Sequence, residues 1–305
     1  MASVLSAPHY HNEDAAFAYV ERHLWPEGPN CPHCGGVERI SKMQGKATRK
    51  GLHKCYQCRK QFTVRMGTIF ESSHLPLHIW LQAIFFVAGS KKGVSSNQLH
   101  RTLGVTLKTA WFLSHRIREA MRDGALLPLG GAGEIVEVDE TFIGHSKGRV
   151  VAKGFHHKMK VLSLVERGGK SRSIVVDSVG MSTLLPIVKA NLDRESHVMT
   201  DEASAYRYLS HHFAKHTHVV HSRGEYGRGE TSTNTIEGFF SIFKRGMRGV
   251  YQFCGEKHLH RYLAEFDFRY SNRAALGCND IDRAEALLRG VIGKRLTYQR
   301  ACART

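Results

Sequence analysis

Apolar positions along this chain follow two rhythms. From about Pro76 to Met121 they recur every three or four residues, as on a helix, whereas from about residue 134 they alternate, as on a strand, before helical spacing returns. Asp14 to Trp25 reads as a short helix, broken by the run PEGPNCPHCGG. From Pro76 to Met121 the spacing predicts three helices. Ile79, Ala83, Phe86 and Val87 share one face of the first, which Gly89 and Gly93 end. Ser95 with Gln98 makes a capping-box pattern that opens a second helix through Leu99 to Leu103. Gly104 supplies a turn, Thr106 caps a third helix, and Ala110, Leu113, Ile117 and Met121 stripe its buried face.

DGALLPLGGAG, residues 123 to 133, is a linker by composition, and the strand-like part follows it. Glu134 to Ile143, Lys158 to Glu166 and Ser173 to Val179 read as three strands of a meander, with Gly168 and Gly169 turning between the last two. Thr183 to Leu192 reads as a helix, His197 to Thr200 as a fourth strand and His218 to His221 as a fifth. After a glycine-rich, cationic loop (Arg223, Gly224, Gly227, Arg228, Gly229), Ile236, Phe240, Phe243 and Met247 fall on one side of another helix. Strands first in a meander and then alternating with helices imply an α/β fold, a mixed sheet flanked by helices.

Carboxylates sit where this pattern disfavours them. Alternation puts Glu137, Asp139 and Thr141 on one face of the first strand and Val136, Val138 and Phe142 on the other, so Asp139 lies inside a strand with Glu137 and Glu140 adding like charge. A cation would relieve that crowding. If the fourth strand runs parallel to the first, Asp201 ends beside Asp139, where ligands sit in α/β sheets. Glu237 lies in the first turn of the later helix, with Lys244 two turns on. Asn234 and Glu237 also fit a capping-box start, which would give Glu237 a purely local role. Three acids on separate elements, converging on a divalent ion, point to phosphodiester chemistry.

Charge and cysteine usage narrow the partners. The 305 residues carry 44 Lys and Arg against 27 Asp and Glu, a net charge of +17, which favours a polyanion. Cys31-x-x-Cys34 and Cys55-x-x-Cys58, separated by twenty residues, have the spacing of a zinc ribbon, in which two knuckles present four thiolates to a structural Zn²⁺. His33, inside the first knuckle, reads as a bystander. Helix, glycine turn, helix is the layout of a helix-turn-helix, and Lys108, Thr109, Phe112 and His115 fall off the apolar stripe as candidate groove contacts. Arg116 and Arg118 add nearby charge. His211, His212, His216, His218 and His221 cluster without regular ligand spacing. No secretory signal is evident, and the longest apolar stretch, Ile79 to Gly89, is well short of the ~20 residues that span a bilayer, so a cytoplasmic, nucleoid-associated protein without a membrane partner is expected.

Taken in order, CPHCGG, LGVTLKTAW, VEVDETFIG, VMTDEASAY, NTIEGFFSIFKRGMRGVY and YLAEFDFRYSNR closely resemble bacterial insertion-sequence transposases with an N-terminal zinc ribbon and an RNase H-like DDE domain, across roughly residues 14 to 275. The resemblance implies four segments: an N-terminal helical piece over 1–28, the ribbon over 29–72, a helix-turn-helix DNA-binding segment over 73–128 and the RNase H-like domain over 129–305. It implies that double-stranded DNA, both element ends and target, is cut and rejoined by a homo-oligomer. Asp139 and Asp201 match the first two acids of the family, and Glu237 with Lys244 its third acid and basic partner. Asn234 competes with Glu237 for the third ligand position. Two Mg²⁺ ions about 4 Å apart, replaceable by Mn²⁺, would be held by these residues. Lys244, Arg245 and Arg248 would touch phosphate. The non-enzymatic alternative is a transcription regulator built from the ribbon and the helix-turn-helix.

Overall fold

The computed structural model describes residues 3–296, apart from 123, 125, 126, 152, 221 and 223–228. The chain divides into two compact units. The first takes in the chain up to Ser90, Val94–Met121 and the segment from Asp280 onward; the second takes in Lys91–Gly93 and Arg122–Asn279. No helix among the described residues is long and apolar enough to cross a membrane.

In the first unit, helix α1 (Glu13–Leu24) begins at Asn12, whose side chain accepts the Ala15 N–H at 3.0 Å, and buries Ala16, Phe17, Val20 and Leu24. Three short strands follow, β1 (Ile40–Lys42), β2 (His53–Cys55) and β3 (Gln61–Phe62), paired antiparallel in chain order. Helix α2 (Leu77–Gly89) starts after Pro76, which has no side-chain acceptor to offer. Glu13 supplies one: its carboxylate accepts the amides of Leu77 and His78 at 2.9 and 3.2 Å, and Arg65 donates to it at 3.1 Å. Helices α3 (Ser96–Leu103) and α4 (Leu107–Ala120) have the expected caps. Ser95 accepts the Gln98 amide, Thr106 accepts the Thr109 amide, and Gly104 between them takes φ +65°, which its missing Cβ permits.

The second unit holds a five-stranded sheet of β4 (Ile135–Ile143), β5 (Met159–Glu166), β6 (Ser171–Val176), β7 (His197–Thr200) and β8 (Lys215–His218), in the order β6-β5-β4-β7-β8. The first three pair antiparallel, while β7 and β8 run parallel to β4. Helix α5 (Met181–Asn191) connects β6 to β7; α6 (Asn234–Gly246) and α7 (Leu259–Ser271) come after β8. Alternation along the strands feeds two cores. Val136 and Val138 pack with Leu162, Leu164, Val198 and the α5 residues Leu184 and Val188. On the other face, Ile143, Met159, Val161 and Val165 pack with Ile236, Phe239, Phe240 and Phe243 of α6 and Phe266 of α7. Gly246 lets α6 and α7 approach closely, since a Cβ there would lie 2.5 Å from the Phe266 ring.

Helix α8 (Asp280–Arg289) returns to the first unit. It packs on α1 and α2, buries Leu287 and Leu288, and accepts a hydrogen bond from Tyr19 through Glu285 at 3.1 Å. The helix lies within the segment 129–305 expected to be RNase H-like, and it groups with the first unit, where its apolar side packs on α1 and α2. The boundaries expected at 28 and 72 likewise fall within one compact unit. Two strands also differ from the sequence pattern. β6 occupies Ser171–Val176, and β8 lies at Lys215–His218 because its register is set by pairing with β7 from His197 onward, not by the apolar pair Val219 and Val220. The expected cationic loop at 223–228 lies outside the described residues.

Candidate active site

β4 and β7 pair in parallel with Ile135 opposite His197 and Glu137 opposite Met199. Carried two residues beyond the Glu137–Met199 pair, the same register sets Asp139 beside Asp201, on the sheet face that packs under α6. Asp139 is half-buried, and its carboxyl is pushed up to about 8 by burial and by the nearby charges of Glu140, Asp201 and Glu237, against the Glu140 amide that donates to its Oδ1 at 2.7 Å. Asp201 is held in turn by the Ala203 amide, which donates to its Oδ1 at 2.9 Å. Glu140, on the alternate face of β4, is raised by burial, lowered by the hydroxyl it accepts from Tyr206 and raised again by Asp201.

Glu137 has a different task from the one its position suggests. It is fully buried, accepts the Arg167 Nε–H at 2.7 Å and accepts the Ile236 amide, in the first turn of α6, at 2.8 Å. Arg167 also donates to the carbonyls of Glu230 and Ser232, at 2.7 and 2.9 Å, so one ion pair fixes the approach to the helix that carries Glu237. Glu137 was legible as an acid in a strand. Its partner was not, because Arg167 lies thirty residues away in the turn after β5.

The N-cap of α6 is Thr233, one residue before the position that a capping box on Asn234 would require. Asn234 is therefore the first helical residue and Glu237 the fourth, both exposed and one turn apart; the Thr233 hydroxyl donates to Glu237 at 3.3 Å. Glu237 raises Asp139, which places its charge within reach of the pair of aspartates. Lys244 is half-buried two turns further, its ammonium 5.7 Å from the centre of the Phe240 ring. Arg245 is exposed and its Nε–H donates to the Ser241 carbonyl at 3.1 Å, while Arg248 is exposed in the widened turn Met247–Tyr251.

Four sulfur atoms make a closed set. Cys31, Cys34, Cys55 and Cys58 place their Sγ atoms within 4.8 Å of one another, with Cys31 to Cys58 at 3.6 Å and Cys34 to Cys55 at 3.8 Å. A tetrahedron with Zn–S bonds of about 2.3 Å has edges of about 3.8 Å, so the set fits zinc with every position filled by sulfur. The knuckles are built by local backbone bonds: the Gly35 amide donates to Cys31, the Cys31 amide to Gly36 and the Cys55 amide to Lys60, with Gly35 at φ +72°. Backbone amides of Cys58 and Gln57 pull the Cys55 thiol down to about 7 against its burial. The Gly36 amide lowers Cys34, yet desolvation and its sulfur neighbours push it up to about 12, so the Cys34 and Cys55 thiols are driven in opposite directions. This is the one such cluster among the described residues; the histidines of 211–218 form none, and His221 lies outside them.

On α4, Lys108 is exposed and Thr109 and Phe112 are half-buried. His115 and Arg116 correct the sequence expectation, with 1% and 4% exposure. His115 packs on Trp111 at 4.3 Å between ring centres, and Arg116 donates to the Glu71 carbonyl at 2.5 Å with its guanidinium 5.3 Å from the centre of the Trp80 ring. Burial pushes Arg116 down to about 10. The buried side of α4 is wider than a single apolar stripe, and it takes in Arg118, which bonds Ser114 at 3.0 Å.

The strand order and the aspartate pair define an RNase H-like α/β domain, joined in one chain to a Cys₄ ribbon. Residues 129–271 match the ISXO2-like transposase domain and residues 11–61 the transposase zinc-ribbon domain. The chain belongs to the ISXO2-like transposase family. It is 28% identical over 265 residues to an uncharacterized protein in transposable element ISH50 of Halobacterium salinarum, covering 80% of this chain and 86% of that one. An uncharacterized transposase-like protein of Haemophilus influenzae is 30% identical over 105 residues, 34% of this chain and 82% of that one. Among solved structures, a simian T-cell lymphotropic virus intasome in complex with PP2A regulatory subunit B56 gamma aligns at 19% identity and a TM-score of 0.31, over 55% of this chain and 63% of that one.

Proposed function

We propose that this transposase binds the terminal inverted repeats of an insertion sequence and catalyses divalent-metal-dependent DNA strand cleavage and strand transfer. Asp139, Asp201 and Glu237 would hold the metal, and Cys31, Cys34, Cys55 and Cys58 a structural zinc. The observation that carries the proposal is the pairing register that sets Asp139 beside Asp201, together with the crowding that pushes Asp139 up to about 8. Carboxylates brought together at such a cost are a donor set suited to Mg²⁺ or Mn²⁺. Glu237 is preferred to Asn234 as the third ligand because its charge is among those that raise Asp139.

Bound magnesium would supply an activated water or 3′-hydroxyl and offset charge on the leaving oxygen. The protein's own part is positional. β4 and β7 hold the two aspartates side by side, Glu137 seats the helix that brings Glu237, and Lys244, with Arg245 and Arg248 beyond it, receives phosphate as fixed positive charge. Lys108, Thr109 and Phe112 are the residues α4 would offer to the groove. Handling two element ends together calls for a homo-oligomer on DNA.

The deciding experiment uses Asp139→Asn on a supercoiled plasmid carrying the element's ends in magnesium. Cleavage should disappear while mobility-shift binding of an end fragment stays within about twofold. Cleavage at the normal rate would refute the assignment.

A further inference from the structure

Two segments, of which this chemistry uses Arg248 alone, are tied together by one carboxylate. The hairpin between β4 and β5, described at residues 144–151 and 153–158, reaches Glu256 through Ser146 Oγ and the Lys147 amide, at 3.5 and 3.2 Å, and Glu256 follows the turn that leaves α6. The hairpin is braced as well. The Ser146 amide donates to the His157 carbonyl at 2.8 Å, Arg149 donates to the His156 carbonyl at 2.8 Å, and Phe155 stacks on Phe142 of β4 with ring centres 4.6 Å apart. Despite that bracing it leaves Val150 and Val151 86% and 70% exposed. In the adjoining turn Phe253 is 82% exposed, following Gln252 at φ +59°, a conformation a side chain adopts only at some cost.

The charges around these apolar groups are one-sided. Residues 144–158 contain Lys147, Arg149, Lys153 and Lys158 and no acid; residues 248–258 add Arg248 and Lys257, and their one acid, Glu256, is engaged by the hairpin. An apolar protein partner would account for the exposed valines and Phe253 but not for so many cations without a counter-charge. Nucleic acid accounts for both, since phosphates take the cations and bases stack on an aromatic ring. Position points the same way. Gly144 begins the hairpin five residues beyond Asp139 on the same strand, about 17 Å of extended backbone, or about five nucleotides along a strand.

We propose that the hairpin 144–158 and the turn after α6 form one surface that grips unpaired DNA beside the scissile phosphate, with its basic side chains on phosphates and Phe253 against a base. The inference rests on the transposase reading above and adds the place where the strand is held.

The test uses the full-length, zinc-loaded protein and two fluorescein-labelled DNAs of arbitrary sequence, a blunt 30-base-pair duplex and the same duplex with a ten-nucleotide single-stranded extension. Anisotropy should show wild type preferring the extended duplex, and Phe253→Ala should weaken that binding about tenfold while leaving the blunt duplex unchanged. Lys147→Ala with Lys153→Ala should lower the slope of log K against log salt by about 1.4 on the extended duplex. Phe253 is exposed, so its variant should fold, which circular dichroism and zinc content check independently. If both variants bind both DNAs as wild type does, the surface assignment is wrong while the transposase reading stands. Wild type that binds neither DNA would bring down both. Light scattering that shows Phe253→Ala converting a dimer to a monomer, with DNA binding per protomer unchanged, would overturn the proposal in favour of a contact between copies.

Discussion

The Ile236 amide donates to Oε2 of Glu137 at 2.8 Å, so a carboxylate two residues before Asp139 seats the helix that carries Glu237. Removing Glu137 strands Arg167, half-buried beside it, and an α6 amide without its acceptor. Glu137→Ala is expected to lower stability by about 3–5 kcal/mol, read from the urea midpoint. Glu137→Gln keeps the shape and one acceptor oxygen. It should fold, bind DNA as wild type and cleave at least tenfold more slowly, because α6 is no longer locked over the aspartates. A Gln variant with wild-type cleavage would mean that this contact is dispensable for positioning.

Asp139 should trade stability for chemistry. With its carboxyl pushed up to about 8, Asp139 takes up a proton on folding at neutral pH, a cost that Asp139→Asn avoids, so the magnesium-free variant should gain about 1–2 kcal/mol while losing cleavage. Thermal melting at neutral pH, without a chelator that would strip zinc, measures the gain. Added magnesium should narrow the difference, since the cation offsets in wild type what the substitution removes.

The ribbon should depend on its ion. Cys58→Ser, or exhaustive chelation, should release zinc in stoichiometric amount and melt the short strands β1 to β3, whose apolar core is little more than Cys31, Cys55, Phe62 and Trp25. Zinc analysis and amide hydrogen exchange over residues 31–62 would report it. Exchange across β4 to β7 should stay unchanged.

Glu13 gives the first unit an acid limit. Burial works against its charge, but the Leu77 amide, the His78 ring and amide and Arg65 outweigh it and hold the carboxyl below the ordinary value of 4.5. A depressed carboxyl contributes stability that is fully present above its unfolded value and is lost as pH falls through the folded one. The unit should therefore weaken below about pH 4.5, and Glu13→Gln should flatten that acid limb. An unchanged pH profile of the melting temperature in the variant would remove Glu13 from the account.

Much of this arrangement was readable beforehand because it is local or periodic. Alternation in VEVDET placed Asp139 on the face it occupies, the caps at Ser95 and Thr106 are where their side chains should put them, and four cysteines in two CxxC pairs needed no long-range information. What escaped depends on partners remote in sequence. Burial of His115 and Arg116 follows from Trp80, Glu71 and the neighbouring helices, and no spacing along α4 announces it. The role of Glu137 needed Arg167, the site of β8 needed the register of β7, and the N-cap at Thr233 moved Glu237 out of the box that its spacing with Asn234 suggested.

Helix α8 gives the zinc-bearing half a peculiar dependence on synthesis. Its core draws on Leu287, Leu288 and Val291, so α1 and α2 wait beside the ribosome, half-clothed, while the whole five-stranded half is made and able to collapse on its own. A messenger interrupted after residue 279 would still encode the five-stranded sheet, yet α1 and α2 would lack the wall that α8 gives them. Loss of that short distal stretch would thus unsettle the N-terminal helices while sparing the sheet.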